Sequence, residues 1–232
     1  RHLLSSLTAK AERRRMRLEL ITFKFCPFGQ RCLILLFEKG VDFDTTFIDL
    51  KKPPEWFDDL SPLGKVPVLR VDDKALFDST VINEFIDEVF PPPLAPGDLL
   101  ERAWQRSLMA FAGELLPCQL AVYSADSEEK HREKLEEMNH LLHLLAGLTG
   151  DGPFFGGDRF APIDAAYAPF FLRVDVLSAR YPHLGPLPEV LRPWSDALLK
   201  RSSVRRSTPA RFADGYRRFL QGKGSWLLGE KG

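Results

Sequence analysis

Cysteine is scarce in this chain: three residues in 232, at positions 26, 32 and 118. Their spacing excludes a zinc-type pairing, and an odd, sparse set excludes a disulfide framework and suits a reducing, cytoplasmic setting. Long hydrophobic runs are absent as well. The longest uninterrupted apolar stretch, Cys32 to Phe37, is far short of the roughly 20 residues a membrane-spanning helix needs. Net charge is missing too, with 32 basic residues against 32 acidic ones. That balance removes any general attraction to nucleic acid or to an anionic membrane, so neither is expected as a partner. No internal repeat or low-complexity tract occurs. His140 and His143 share a helix face without a cysteine or acidic ligand at metal spacing, so no metal site is expected.

What is present is unevenly distributed. Residues 1–15 carry five basic side chains against Glu12 alone, and strand-like sequence begins only after Met16. This segment lacks the continuous apolar centre of a signal peptide. It is read as an extension, either upstream translated sequence or an expression remnant, with Met16 as the natural start. From Leu18 to about Phe90 the periodicity alternates between strand and helix in the order βαβαββα, an α/β unit over 16–90. Leu33, Leu36 and Phe37 mark one face of its first helix, which ends at Lys39-Gly40 with glycine suited to a left-handed cap. Phe43 to Leu50 alternates as a strand. Val66 to Val71 and Ala75 to Phe77 form a strand pair around Asp72-Asp73, and Ser79 begins the next helix.

Three consecutive prolines, Pro91 to Pro93, cannot continue a helix and define a stiff linker over 91–96. Beyond it, residues 97–232 show helical periodicity with few strand signals, so this part is expected to be all-α. Leu99, Ala103, Trp104, Leu108, Phe111 and Leu115 make one stripe, and Leu135, Met138, Leu142 and Leu145 another. Asp126 with Glu129 is read as a capping pair for the second long helix, and Asp164 as the opening of a third that runs to Leu177.

Cys26 stands after the strand Leu18 to Phe23 and before Pro27, a residue suited to the first helical turn. At a helix N-terminus the unpaired N–H groups and the positive dipole end favour a thiolate, an exposed nucleophile. Cys32 and Cys118 are read as core residues. Val66-Pro67 before a strand suits a cis bond that turns backbone groups outward to pair with an extended peptide ligand. Ser79 at a helix start offers a hydroxyl and N–H groups to a carboxylate, and Asp78 takes an adjacent ammonium. A nucleophilic cysteine, a backbone clamp and anchors for a free amino-acid end together describe a glutathione site.

Four segments carry a family resemblance. They are Cys26-Pro27-Phe28-Gly29-Gln30-Arg31, Asp49 through Phe57, Ser61 through Leu69, and Phe77-Asp78-Ser79. Together they resemble the glutathione transferase superfamily, in its cysteine-type omega and dehydroascorbate reductase branches. The resemblance implies a thioredoxin-like N-terminal domain followed by an all-helical one, usually paired as a homodimer. It implies that Cys26 forms a mixed disulfide with glutathione, the co-substrate. By the same resemblance, Phe28, Lys52, Lys65, Val66, Pro67, Asp78 and Ser79 are expected to line the glutathione site, and Arg173, Tyr216 and Trp226 a pocket for a small oxidised or electrophilic substrate. Two positions depart from the family pattern. Pro53 replaces the lysine before Pro54-Glu55-Trp56-Phe57, leaving Lys52 one place early, and Ala161 replaces a capping serine or threonine before Asp164. Gly29 holds the position of a resolving cysteine in dithiol relatives of the fold, which implies monothiol chemistry. The expected activity is thiol transfer to mixed disulfides, dehydroascorbate or similar oxidants. The scaffold also supports glutathione-dependent lyases or dehalogenases, chloride-intracellular-channel-like proteins and non-catalytic binding modules.

Overall fold

The computed structural model describes residues 16–178, 180–181, 184 and 187–229, so the reading of residues 1–15 lies outside the described residues. The chain divides into two compact units, 1–95 and 96–232.

The first unit is built on a four-stranded sheet. Its strands are β1 (Leu18–Thr22), β2 (Asp44–Phe47), β3 (Val68–Val71) and β4 (Lys74–Phe77), in the spatial order β2-β1-β3-β4. β1 runs parallel to β2 and antiparallel to β3, with Ile21 opposite Thr46 on one side and Val68 on the other. Among the described residues its helices are α1 (Pro27–Lys39), the single turn α2 (Phe57–Leu60) and α3 (Ser79–Val89). Ile21, Ile48, Phe57 and Val68 form a core cluster. The second strand is shorter than its alternation suggested: Ile48 is buried beyond its end, while Asp49 and Leu50 are exposed.

α1 has no solvent stripe in its middle, because every residue from Gly29 to Leu36 is buried. The expected single apolar face of Leu33, Leu36 and Phe37 therefore understates its burial. Gly40 ends it at φ 61°, a left-handed cap whose N–H donates to Phe37 O. A buried ion pair fixes its last turn: Lys39 Nζ lies 2.7 Å from Asp87. The Asp87 carboxylate also accepts from the N–H groups of Leu94 and Ala95, which holds the chain leaving the prolines.

The second unit is helical. It comprises α4 (Leu99–Ser124), α5 (Glu128–Ala146), α6 (Pro162–Ser178), a 3-10 turn (Glu189–Leu191), α7 (Arg192–Lys200), α8 (Ser202–Arg206), α9 (Phe212–Gln221) and α10 (Trp226–Gly229). α4 buries Gln105, Leu108, Ala112, Leu115, Gln119 and Val122, alternate steps of three and four that make one seam. Leu99, Ala103 and Trp104 lie beside that seam and are exposed, so the expected stripe is displaced in its first turns. Ser127, rather than the expected pair Asp126 and Glu129, caps α5 by accepting from Lys130 N. Trp194 centres the core, its ring within 4.9–5.4 Å of Tyr167, Phe171 and Phe155.

Candidate functional site

β1 ends at Thr22, and a short turn brings Cys26 to the start of α1. Cys26 is the N-cap: its φ of −70° and ψ of 116° are extended, and its side chain accepts from Gly29 N–H. The N···Sγ distance is 3.4 Å. A cap is ordinarily an oxygen from serine, threonine, asparagine or aspartate. Sulfur here meets one of the unpaired donors that begin every helix, and that contact is strongest when sulfur carries the charge. Cys26 is half-buried, whereas Cys32 and Cys118 are buried. Burial holds the Cys32 thiol protonated, far above its ordinary range. It pushes Cys118 up to about 11, with Glu137 adding to the effect. Neither suits nucleophilic work.

Across from Cys26 runs the turn before β3. The Val66-Pro67 bond is cis, and Val66 O lies 3.9 Å from Cys26 Sγ. Ser61 organises this turn, since its hydroxyl donates to Lys65 O at 2.7 Å and accepts from Lys65 N–H at 2.9 Å.

The third wall is the start of α3. Asp78 sits at φ 69°, an uncommon conformation for a non-glycine residue. Its carboxylate accepts from Thr80 N–H at 2.8 Å and from Val81 N–H at 3.3 Å, so the same geometry that costs backbone energy closes the helix. The side chain stays exposed. Ser79 follows as the first residue of the helix. It is buried, and its hydroxyl accepts a hydrogen bond from Arg31 of α1.

Cys26, Val66 and Pro67 therefore come together in the first unit. Phe28, Arg31 and Ser79 form a second linked group, because the guanidinium of Arg31 also lies over the Phe28 ring, 5.2 Å from its centroid. Lys52 and Lys65 are exposed on the loops flanking α2. The backbone of Lys52 is held by Asp49 O at 3.1 Å.

The residues assigned to the substrate side belong to the helical unit. Arg173 and Tyr216 are buried there. The Arg173 guanidinium lies 5.4 Å from the Phe212 ring and 5.3 Å from the Tyr216 ring, and donates to Pro169 O at 2.8 Å. Burial raises the Tyr216 hydroxyl, with Arg173 opposing. Trp226 is half-buried, its ring 5.2 Å from that of His131.

Three residues with a part in the site were missed as individuals. Thr22 presses on Gly29: a Cβ built on that glycine would lie 1.9 Å from Thr22 Oγ1 and 2.8 Å from Thr22 Cβ. Arg31 and Thr80 complete the link between α1 and α3. A signal for Arg31 was present in the six apolar residues that follow it, since a helix without a polar face cannot keep an arginine in water.

Among the described residues no group of histidine, cysteine and carboxylate side chains is arranged to hold a metal ion, and no helix is long and apolar enough to cross a membrane.

Residues 25–89 match the model of the glutathione S-transferase N-terminal domain. Over 169 residues the chain is 32% identical to glutathione S-transferase omega-1 of Mus musculus, an alignment covering 71% of this chain and 70% of that protein. It is 33% identical over 183 residues to glutathione S-transferase DHAR2 of Arabidopsis thaliana, covering 77% and 81%. With the chloroplastic glutathione S-transferase DHAR3 of the same plant it shares 32% identity over 157 residues, covering 67% of this chain and 57% of the relative. Among solved structures, glutathione transferase Omega 3C of Trametes versicolor superposes with a TM-score of 0.73 at 27% identity, covering 90% of this chain and 96% of that one. Rice GST1 in complex with glutathione gives 0.74 at 26% identity, covering 94% and 98%.

Proposed function

Because the chain belongs to the glutathione S-transferase family, we propose that it is a glutathione-dependent thiol transferase and reductase of the omega and dehydroascorbate reductase kind. One observation carries this reading. A half-buried cysteine caps α1 with its sulfur on Gly29 N–H, facing the carbonyl of Val66 in the cis-proline turn.

The Cys26 thiolate attacks the glutathionyl sulfur of a mixed disulfide, forming a Cys26–glutathione disulfide as the partner thiolate leaves and takes up a proton. A second glutathione thiolate then attacks that bond, releasing oxidised glutathione and restoring Cys26. With dehydroascorbate, two glutathione molecules supply two electrons and two protons, and ascorbate and oxidised glutathione result. The outward backbone of Val66 pairs with the cysteinyl part of glutathione, as an added strand pairs with a sheet edge. The α3 N-terminus with Asp78 takes the γ-glutamyl end. Phe28, Pro67, Lys52 and Lys65 complete the proposed site, the exposed lysines as partners for glycyl carboxylate. On the substrate side the reading keeps half-buried Trp226 and assigns buried Arg173 and Tyr216 to the frame of the helical unit. Three thiols that form no disulfide suit a reducing compartment such as the cytosol.

The same reading includes a homodimer. Each unit presents large apolar side chains to solvent: Phe77 and Val81 at the β4–α3 corner, and Leu99, Leu100 and Trp104 on the first turns of α4. A second copy of the chain is the proposed cover.

The test is intact mass after exposure to oxidised glutathione, for wild type and Cys26→Ala. The expected result is one glutathione adduct on the wild type alone, removed by reduced glutathione. A folded wild type that takes none overturns the proposal.

A further inference from the structure

Arg31 is the one charged side chain in the buried stretch Gly29 to Leu36 of α1, and only 3% of it is exposed. Nη2 donates to Thr80 Oγ1 at 2.9 Å and to Ser79 Oγ. Nε and Nη1 are buried and make no hydrogen bond among the described residues. Phe28 covers the guanidinium. A buried cation without a hydrogen-bonded carboxylate is expensive, and an apolar side chain of similar volume often serves stability as well or better. Packing therefore does not explain why an arginine stands here.

Its surroundings do. Burial weakens the hold of Arg31 on its proton, while Cys32, Asp78 and Cys26 act in the opposite direction. Of these three, Cys32 stays protonated in its own buried site. The groups left to face Arg31 are the Asp78 carboxylate at the start of α3 and Cys26, the N-cap of its own helix and the proposed nucleophile. Arg31 thus joins the two elements that build the candidate site, by hydrogen bonds to one and by charge to both.

We propose that Arg31 is the positioning residue of the glutathione site: Nη2 holds the Ser79 and Thr80 hydroxyls in place at the α3 N-terminus, and the enclosed charge favours the Cys26 thiolate. This rests on the glutathione reading above and deepens it. Arg31 acts through Ser79, Thr80 and Cys26. Its unpaired Nε and Nη1 make the cation harder to satisfy within the protein alone, so a bound anionic ligand adds to its stabilisation.

Wild type, Arg31→Met and Arg31→Lys are compared by two measurements. The first is the rate of Cys26 alkylation by iodoacetamide between about pH 4 and pH 9, read by intact mass with Cys26→Ala as control. The second is kcat and KM for glutathione with a small mixed disulfide. In Arg31→Met the alkylation midpoint rises by about one pH unit and KM for glutathione rises about tenfold, more than kcat falls. Arg31→Lys keeps the charge, so its midpoint stays within about 0.3 unit of wild type. Its KM still rises several-fold, because the shorter lysine side chain ends one bond short of the Nη2 position and its ammonium does not reach both hydroxyls. A folded Arg31→Met with wild-type midpoint and KM overturns the proposal. Should Arg31→Met fail to fold, the KM of Arg31→Lys decides, and a wild-type value overturns it. Wild-type protein that takes no glutathione onto Cys26 overturns the functional reading itself. Glutathione uptake by the wild type with unaltered Arg31 variants overturns this inference alone.

Discussion

Asp164 shows how much one side chain holds. Its Oδ1 accepts from Phe155 N–H at 3.0 Å and from Trp194 Nε1 at 2.6 Å, and its Oδ2 accepts from Ala161 N–H at 2.8 Å. Those bonds secure the entry to α6 without the hydroxyl that Ala161 lacks. Asp164→Ala leaves three buried donors unpaired and is expected to cost about 3–5 kcal/mol in urea unfolding. Burial raises this carboxyl to about 6, with the three donors opposing. Between about pH 4 and pH 6 the folded protein therefore keeps a proton that the unfolded chain has released. Stability contributed by this group is full at low pH and is lost as pH rises through that window. The stability of wild type relative to Asp164→Asn should fall from about pH 4 to pH 6 and then level, the other carboxylates cancelling in the difference. A rise across the same window would mean that the three donors outweigh burial.

At the scale of the element, α1 carries the proposed nucleophile at its start, and β1 packs against it there. Gly29 meets Thr22 so closely that an added Cβ would overlap both Oγ1 and Cβ of the threonine. Threonine in a strand is stiff at χ1, and rotation moves Oγ1 but leaves Cβ where it is. Gly29→Ala is expected to lose about 1–3 kcal/mol in urea unfolding, and to recover part of it in a Thr22→Ala background. A Gly29→Ala protein as stable as the wild type would show that β1 and α1 yield at little cost. This contact bears on the reaction, because a resolving cysteine at position 29 would need the same space. Cys26 thus works with an external thiol in the proposed cycle.

On the scale of the whole molecule, the exposed apolar residues Phe77, Val81, Leu99, Leu100 and Trp104 bear on assembly. Light scattering on the purified protein should give twice the chain mass of 26.4 kDa. A double charge substitution, Phe77→Glu with Val81→Lys, should shift it toward the single-chain mass with the helical signal retained. A wild type at the single-chain mass across micromolar concentrations would remove the homodimer from the proposal.

The order βαβαββα followed by helices was legible because periodicity and turn chemistry are local. So was Cys26 at a helix start, announced by a strand before it and Pro27 after it. The α4 stripe was legible only in its later turns, since a pattern of apolar residues does not say which of two adjacent faces is covered. Ser79 was recognised as a helix-start residue, but its burial beneath Arg31 was not visible. The chain by itself determined the elements of the first unit, their order and a cysteine at a helix start, each settled by residues a few positions apart. Tertiary structure alone decided that Arg31 meets Ser79 across 48 positions, that Trp194 meets Asp164 across 30, and that Thr22 leaves room only for glycine. The physical reason is that burial and hydrogen-bond satisfaction depend on which surfaces pack together, and the cost of an unpaired charge or donor is set only once water has been excluded.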